Sequence, residues 1–256
     1  MAIMVDQWPN PRKPLLISFG DDTYAEARSR LKSEAMYSRF FGDAKIFTPS
    51  DLPYDLRMFC ENNREDFGYG FYLWKPYFVH FIASNPEMEG RTVFWIDSGS
   101  WINRFGISIY LKYLEALSDG KPFVVFERVD HTERRSVKRD VFHHLQAEQF
   151  IDTPPLMAGI FGFRVNAMSR EVVSRWYQEC SQNRNLIDQT PSVVGEEHPQ
   201  FEKNRHDQGV FSLLLKRSGC YTAFPAEHIL PELHVSYLDM CEYPFVAMRD
   251  QTVFKA

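Results

Sequence analysis

Three places in this 256-residue chain carry side chains whose types and spacing suit chemistry. The first is TVFWIDSGSWIN, Thr92 to Asn103. Thr92 to Ile96 is β-branched and aromatic and reads as a buried strand, which Asp97 stops and the turn formers Ser98, Gly99 and Ser100 follow. A carboxylate at the C-terminal end of a buried parallel strand, beside a permissive glycine, lies where open α/β sheets place ligands, and it suits a divalent cation. The plainer account is an Asp that caps its own turn.

The second is Lys75, a lone cation inside the aromatic segment GYGFYLWKPYFVHFIASN, Gly68 to Asn85. It needs an anionic partner or a route to water. A phosphate in a cleft is the preferred reading, with snorkelling to the surface as the alternative. The third is His206-Asp207-Gln208 at the start of a helical pattern, where Asp207 reads either as a chemical group facing the sheet or as an N-cap. The charged run Glu127 to Asp140 reads chiefly as a solvated loop and helix start, with Lys138 and Arg139 reaching phosphates as the sharper version. In MAGIFGFR, Met157 to Arg164, two glycines interrupt a strand, a mark of close approach by a ligand or another backbone.

The elements that must position these groups alternate between strand and helix. Leu15–Phe19 reads as a strand, Tyr24–Phe40 as a helix capped by Asp22 or Thr23, and Ala44–Phe47 as a second strand. Helices are expected over Leu56–Asp66, from Pro76 onward and over Arg104–Asp119, with a strand at Phe123–Phe126. Ser169–Ser181 reads as an amphipathic helix capped by Ser169, and a further helix runs through Lys216 to end at Gly219. Asn183–Asn204 is polar and irregular, and Met1–Pro14 reads as a loose arm. The expectation is one α/β domain over 1–256, with a Rossmann-like, mixed but mostly parallel sheet flanked by helices.

Composition narrows the classes. A net charge of −5 argues against a general nucleic-acid binder, and the 44% hydrophobic content supports a sizeable core. Cys60, Cys180, Cys220 and Cys241 lack the short spacing of a zinc knuckle or redox pair and read as reduced core thiols in a cytoplasmic protein. No run approaches the roughly 20 apolar residues of a membrane span.

The order of these motifs resembles the GT-A-type glycosyltransferases, single-domain enzymes that use nucleotide sugars. The likeness is to bacterial enzymes of capsule and lipopolysaccharide assembly and, more distantly, to glycosyltransferase family 8. ISFGDD resembles the strand and loop that hold the nucleobase, implying donor contacts at Phe19 and Gly20. GYGFYLWKPY resembles the segment whose basic residue faces the donor diphosphate, here Lys75. WIDSG resembles the Asp-x-Asp strand end that binds manganese, with Asp97, Ser98 and Gly99 against the donor. MAGIFGFR and RHDQGVFSLL resemble the segments around the transferred sugar, which brings in Ala158, Gly159, Asp207 and Gln208. Arg139 is assigned to the diphosphate beside Lys75.

Two departures stand out: Gly99 replaces the second Asp, and Met157 stands where the related pattern has Asn. The pattern's C-terminal His ligand is expected at His234 or, failing that, His228, holding Mn2+ (or Mg2+) with Asp97. The implied function is metal-assisted transfer of a sugar from a nucleotide-diphosphate sugar, expected to be a UDP-sugar, to a glycan or lipid-linked acceptor in polysaccharide biosynthesis. Peripheral membrane association stays open. The rival reading is a catalytically inactive nucleotide-sugar-binding module. A pyrophosphorylase is disfavoured by the acidic residues after the first strand, and a serine hydrolase by the lack of a Gly-x-Ser-x-Gly elbow.

Overall fold

The computed structural model describes residues 13–64, 68–230, 232 and 241–248. Its main sheet has six strands: β1 (Leu15–Phe19), β2 (Asp43–Phe47), β3 (Thr92–Ile96), β5 (Phe123–Glu127), β6 (Ile160–Arg164) and β7 (Tyr221–Pro225). They lie in the order β2-β1-β3-β6-β5-β7. β1 is parallel to β2 and β3, and β5 is parallel to β7. Only β6 runs against the rest, antiparallel to both β3 and β5. A two-residue ladder pairs β4 (Trp101–Ile102) with β8 (Phe245–Val246).

This reversal shapes the site. The β3–β6 register sets Ile96 opposite Ile160, so the residues after β3 and those before β6 emerge together. The C-terminal ends of β1, β3 and β5 share that edge.

Side chains alternate across the sheet with a period of two. Ile17, Trp95, Val125 and Phe161 face one hydrophobic cluster. It is closed by the helices α3 (Trp74–Ser84), α5 (Arg139–Leu145), α6 (Ala167–Gln182) and α7 (Asp207–Ser218), which come third and fifth to seventh along the chain. Leu16, Phe94, Ile96 and Phe126 face the second cluster, covered by α1 (Ala25–Ser38) and α4 (Ile107–Ser118). The remaining helix, α2 (Tyr54–Asn62), packs on the first side through Cys60. Trp95 and Trp176 are fully buried, and each such side chain contributes roughly 1.5–3 kcal/mol by leaving water.

Several boundaries differ from the sequence reading for local reasons. Asp21 rather than Asp22 caps the first helical segment, accepting from the Thr23 N–H. Helix α6 starts two residues earlier than its pattern: Asn166 is the cap, and Ser169 answers it as the third residue of a capping box. Helix α2 stops at Asn62, short of the expected Asp66. Gly68 to Tyr72 follows with φ positive at all five residues, a left-handed turn ahead of α3. Gly70 is needed there, because a Cβ would come within 2.8 Å of the Cys60 Cα. Cys60, Cys180 and Cys220 are buried as expected, but Cys241 is exposed and so is not a core thiol. Among the described residues, no helix is long and apolar enough to cross a membrane.

Candidate functional site

The site grows from the shared sheet edge. Asp97 leaves β3 with its N–H donating to the Gly159 carbonyl at 2.9 Å, and its own carbonyl accepts from the Ser100 N–H to close a tight turn. Its carboxylate bends back over the sheet. Oδ1 accepts from the Trp95 indole N–H at 2.7 Å and from the Lys75 ammonium at 3.1 Å. Glycine at 159 follows directly, since a Cβ there would stand 3.1 Å from Asp97 Oδ2.

Lys75, on the first turn of α3, is buried and does not snorkel. Besides Asp97, its Nζ donates to the Ala158 carbonyl at 3.1 Å. The rings of Tyr72, Trp74 and Trp95 surround it at 5.4–5.7 Å. Burial alone would push the ammonium down, but the charges of Asp97 and Asp207 outweigh it and hold Lys75 above the usual lysine range.

Asp207 opens α7 and is 2% exposed. Its Oδ2 is buried with no hydrogen-bond partner. Burial pushes the carboxyl up to about 7, with Lys75 opposing the rise and Asp97 adding to it. The backbone carbonyl of Asp207 accepts from the Trp176 indole N–H at 2.9 Å, which fixes α7 against α6. Gln208 lies beside it, its Oε1 accepting from the Ala158 N–H at 3.4 Å. His206, just before, has φ 55 and bonds the Ile187 carbonyl through Nδ1 at 2.7 Å, with Phe71 and Tyr72 against its ring. Backbone strain therefore gathers on both sides of the lysine, at the left-handed turn and at His206.

The structure thus joins Lys75, Asp97, Ala158, Gly159, Asp207 and Gln208 in one cluster. Gly20 and Ser98 border it: a Cβ on Gly20 would come within 3.0 Å of Ser98 Oγ. Gly99 is buried in the turn after Asp97. The ring of Phe19 is a core side chain, stacked on Trp74 at 4.2 Å. Arg139 is not brought to the cluster by any of its bonds. It lies exposed on α5, its N–H on Glu197 and its guanidinium on the Glu196 carbonyl. Lys138 is buried rather than solvated, tying Asn185, Asp188 and Thr190 of the polar excursion. His228 lies on the other face of the sheet, its Nδ1 2.8 Å from the Tyr113 hydroxyl. His234 falls outside the described residues.

Sequence reading did not single out Arg28. Its Cγ lies 3.0 Å from where a Gly20 Cβ would be, as does Ser98 Oγ, so it flanks the loop after β1. The only available signal was a cation one helical turn after the first strand's loop, indistinguishable from its solvated neighbours on α1.

The described residues fit a divalent ion poorly. A hard dication wants six or more oxygens, several of them anionic. Here Gly99 stands in place of a second carboxylate, and the Asp97 carboxylate is already shared between an ammonium and an indole. Among the described residues, no group of three His, Cys, Asp or Glu side chains is arranged to hold a metal.

The fold is that of glycosyltransferases. The chain is similar over 92% of its length, and 92% of the other chain, to a glycosyltransferase involved in the glycosylation of the major capsid of PBCV-1, with a TM-score of 0.51 and 13% identity. It is also similar to the apo structure of the bifunctional glycosyltransferase WbbM, with a TM-score of 0.50 and 13% identity; the match covers 92% of this chain but 45% of that one. No protein-family model matches the chain, and no curated protein matches it in sequence. The GT-A-type architecture expected from the sequence is therefore shown at the level of fold.

Proposed function

We propose that this protein is a glycosyltransferase that moves a sugar from a nucleotide-diphosphate sugar to a hydroxyl of a glycan or lipid-linked acceptor. The observation that carries the reading is the cluster Lys75–Asp97–Asp207, set at the sheet edge where an α/β fold of this kind meets its ligands. The likeness of fold to glycosyltransferases supports it.

Each residue has a task in that reaction. As the glycosidic C–O bond breaks, the nucleoside diphosphate gains charge, and a fixed cation nearby lowers the barrier. Lys75, charged and held against Asp97 and the Ala158 carbonyl, keeps the strand-end carboxylate from opposing that charge. The acceptor hydroxyl loses its proton as it bonds to the anomeric carbon. Asp207 has an unpartnered oxygen and titrates near neutrality, which suits a group that takes this proton. Gln208 holds Ala158 in line and keeps the two halves of the cluster together. Because Asp207 must be ionised to act, turnover is expected to rise as pH passes through about 7.

The test is a panel of nucleotide sugars, read by protein melting temperature and by release of nucleoside diphosphate with and without sugar acceptors. A donor that both stabilises the protein and is consumed is expected. Asp207→Asn should cut turnover by roughly 100-fold or more with donor affinity little changed. Binding with no consumption under any condition would favour the inactive-module reading, and neither binding nor consumption would remove the transferase reading.

A further inference from the structure

We propose that two protein cations do the work of a divalent ion at the donor diphosphate, Lys75 by neutralising Asp97 and Arg28 by binding the phosphates, so that donor binding needs no metal. This rests on the nucleotide-sugar reading and says what supplies the positive charge.

A divalent ion in such a site would have two tasks: to cancel the charge of the strand-end carboxylate, which would repel a diphosphate, and to add net positive charge for the leaving group. Here the two tasks fall to different side chains. Lys75 performs the first. Its ammonium lies 3.1 Å from Asp97 Oδ1 and 3.5 Å from Oδ2, so the carboxylate is neutralised within the protein. Asp97 nevertheless keeps 37% of its side chain exposed, so the pair borders on solvent.

Arg28 performs the second. Its Cγ and the Ser98 hydroxyl both stand 3.0 Å from the position of a Cβ on Gly20, so the arginine stem and the turn after Asp97 meet at Gly20. Only 17% of the side chain is exposed, and its Nε is buried with no hydrogen-bond partner. Its counter-ion is Asp22, 96% exposed and 3.9 Å away, too solvated to satisfy it. A guanidinium so placed offers a planar fork of donors that matches phosphate oxygens. Arg30, one residue beyond Ser29 on the same helix, makes the contrast. Its guanidinium bonds the Ser100 carbonyl and Glu34 and stacks on Trp101, so it is spent on structure.

The measurement is calorimetry on the full chain with UDP, GDP, CDP and ADP as probes, in excess EDTA and again with manganese. At least one nucleotide is expected to bind in EDTA, with a Kd within about threefold of its value with manganese; tenfold would correspond to 1.4 kcal/mol. Arg28→Met should weaken binding in EDTA by about tenfold or more, and Arg28→Lys should recover part of it. The melting temperature of each free variant shows that the fold is retained, and the comparison of EDTA with manganese on the wild-type chain needs no variant at all. Binding that appears only with manganese overturns the inference and leaves the transferase reading standing. Unchanged affinity in Arg28→Met removes Arg28 from the site. No binding of any nucleotide in either condition overturns both readings.

Discussion

Asp207 has a cost as well as its proposed use. In the unfolded chain its carboxyl titrates near 3.9; in the folded protein it does so at about 7. Between those values the folded state holds the extra proton, so stability falls as pH rises across the interval, and the full cost of the buried charge is felt above it. Asp207→Asn removes that dependence. The variant should gain nothing at about pH 4 and exceed the wild type at about pH 8, by at most about 1.4 kcal/mol per pH unit of the interval; urea unfolding at the two pH values measures it. A wild-type stability flat between them would show that the carboxyl is ionised throughout. The sequence made Asp97, Lys75 and Asp207 legible because each broke a pattern: an acid ending an apolar strand, a cation among aromatics, an acid opening a helix. It did not show that Lys75 and Asp97 are partners, because their 22-residue separation carries no periodic signal. Arg28 was hidden for the opposite reason, breaking no pattern in a helix already rich in Arg and Lys.

At the scale of elements, a second buried ion pair sets where α7 lies. Lys216 donates to Glu133 at 2.5 Å, to Thr153 Oγ1 at 2.7 Å and to the Pro154 carbonyl at 2.7 Å, while the Ser212 hydroxyl also donates to Glu133. Burial pushes Glu133 up and Lys216 down, and each charge opposes the shift of the other. Removing one partner leaves a buried charge alone. Lys216→Met should therefore cost about 3–5 kcal/mol of stability, and adding Glu133→Leu should restore much of it, a coupling that a double-mutant cycle in urea would read directly. Strand glycine is a further case. The sequence flagged both glycines of MAGIFGFR for close approach by a ligand or backbone, and in the structure the atom that a Cβ on each would meet first belongs to a side chain. Gly159 makes room for the Asp97 carboxylate, and Gly162 for the ring of Phe94, whose Cε1 would be 2.6 Å from a Cβ. Gly162→Ala should destabilise by about 1–3 kcal/mol through that clash while leaving nucleotide affinity alone. The sequence could mark the need for space but could not name the occupant, because Phe94 and Gly162 are cross-strand neighbours only once β6 is reversed.

For the whole molecule, the alternation of strand and helix made the three-layer architecture legible, since continuously apolar strands between helices are what a sheet covered on both faces requires. The reversed β6 was not legible, because an apolar strand reads the same in either direction. The two clusters leave three of the four cysteines sealed, with the Cys60 thiol pushed up to about 12 by burial. A thiol reagent should accordingly titrate one cysteine in the native protein, Cys241, and the remaining three only at the rate of global unfolding; two or more fast thiols would contradict the packing described. The reversed strand has one more effect, on the order in which a growing chain is completed. Lys75 and Asp97 emerge from synthesis early and can meet as soon as β3 pairs with β1. The lysine's other acceptor, Ala158, arrives only with β6, and Asp207 later still. The Lys75–Asp97–Asp207 cluster is therefore complete only once the chain from Ala158 onward, with β6 and the helix opened by Asp207, has docked on the strands before it.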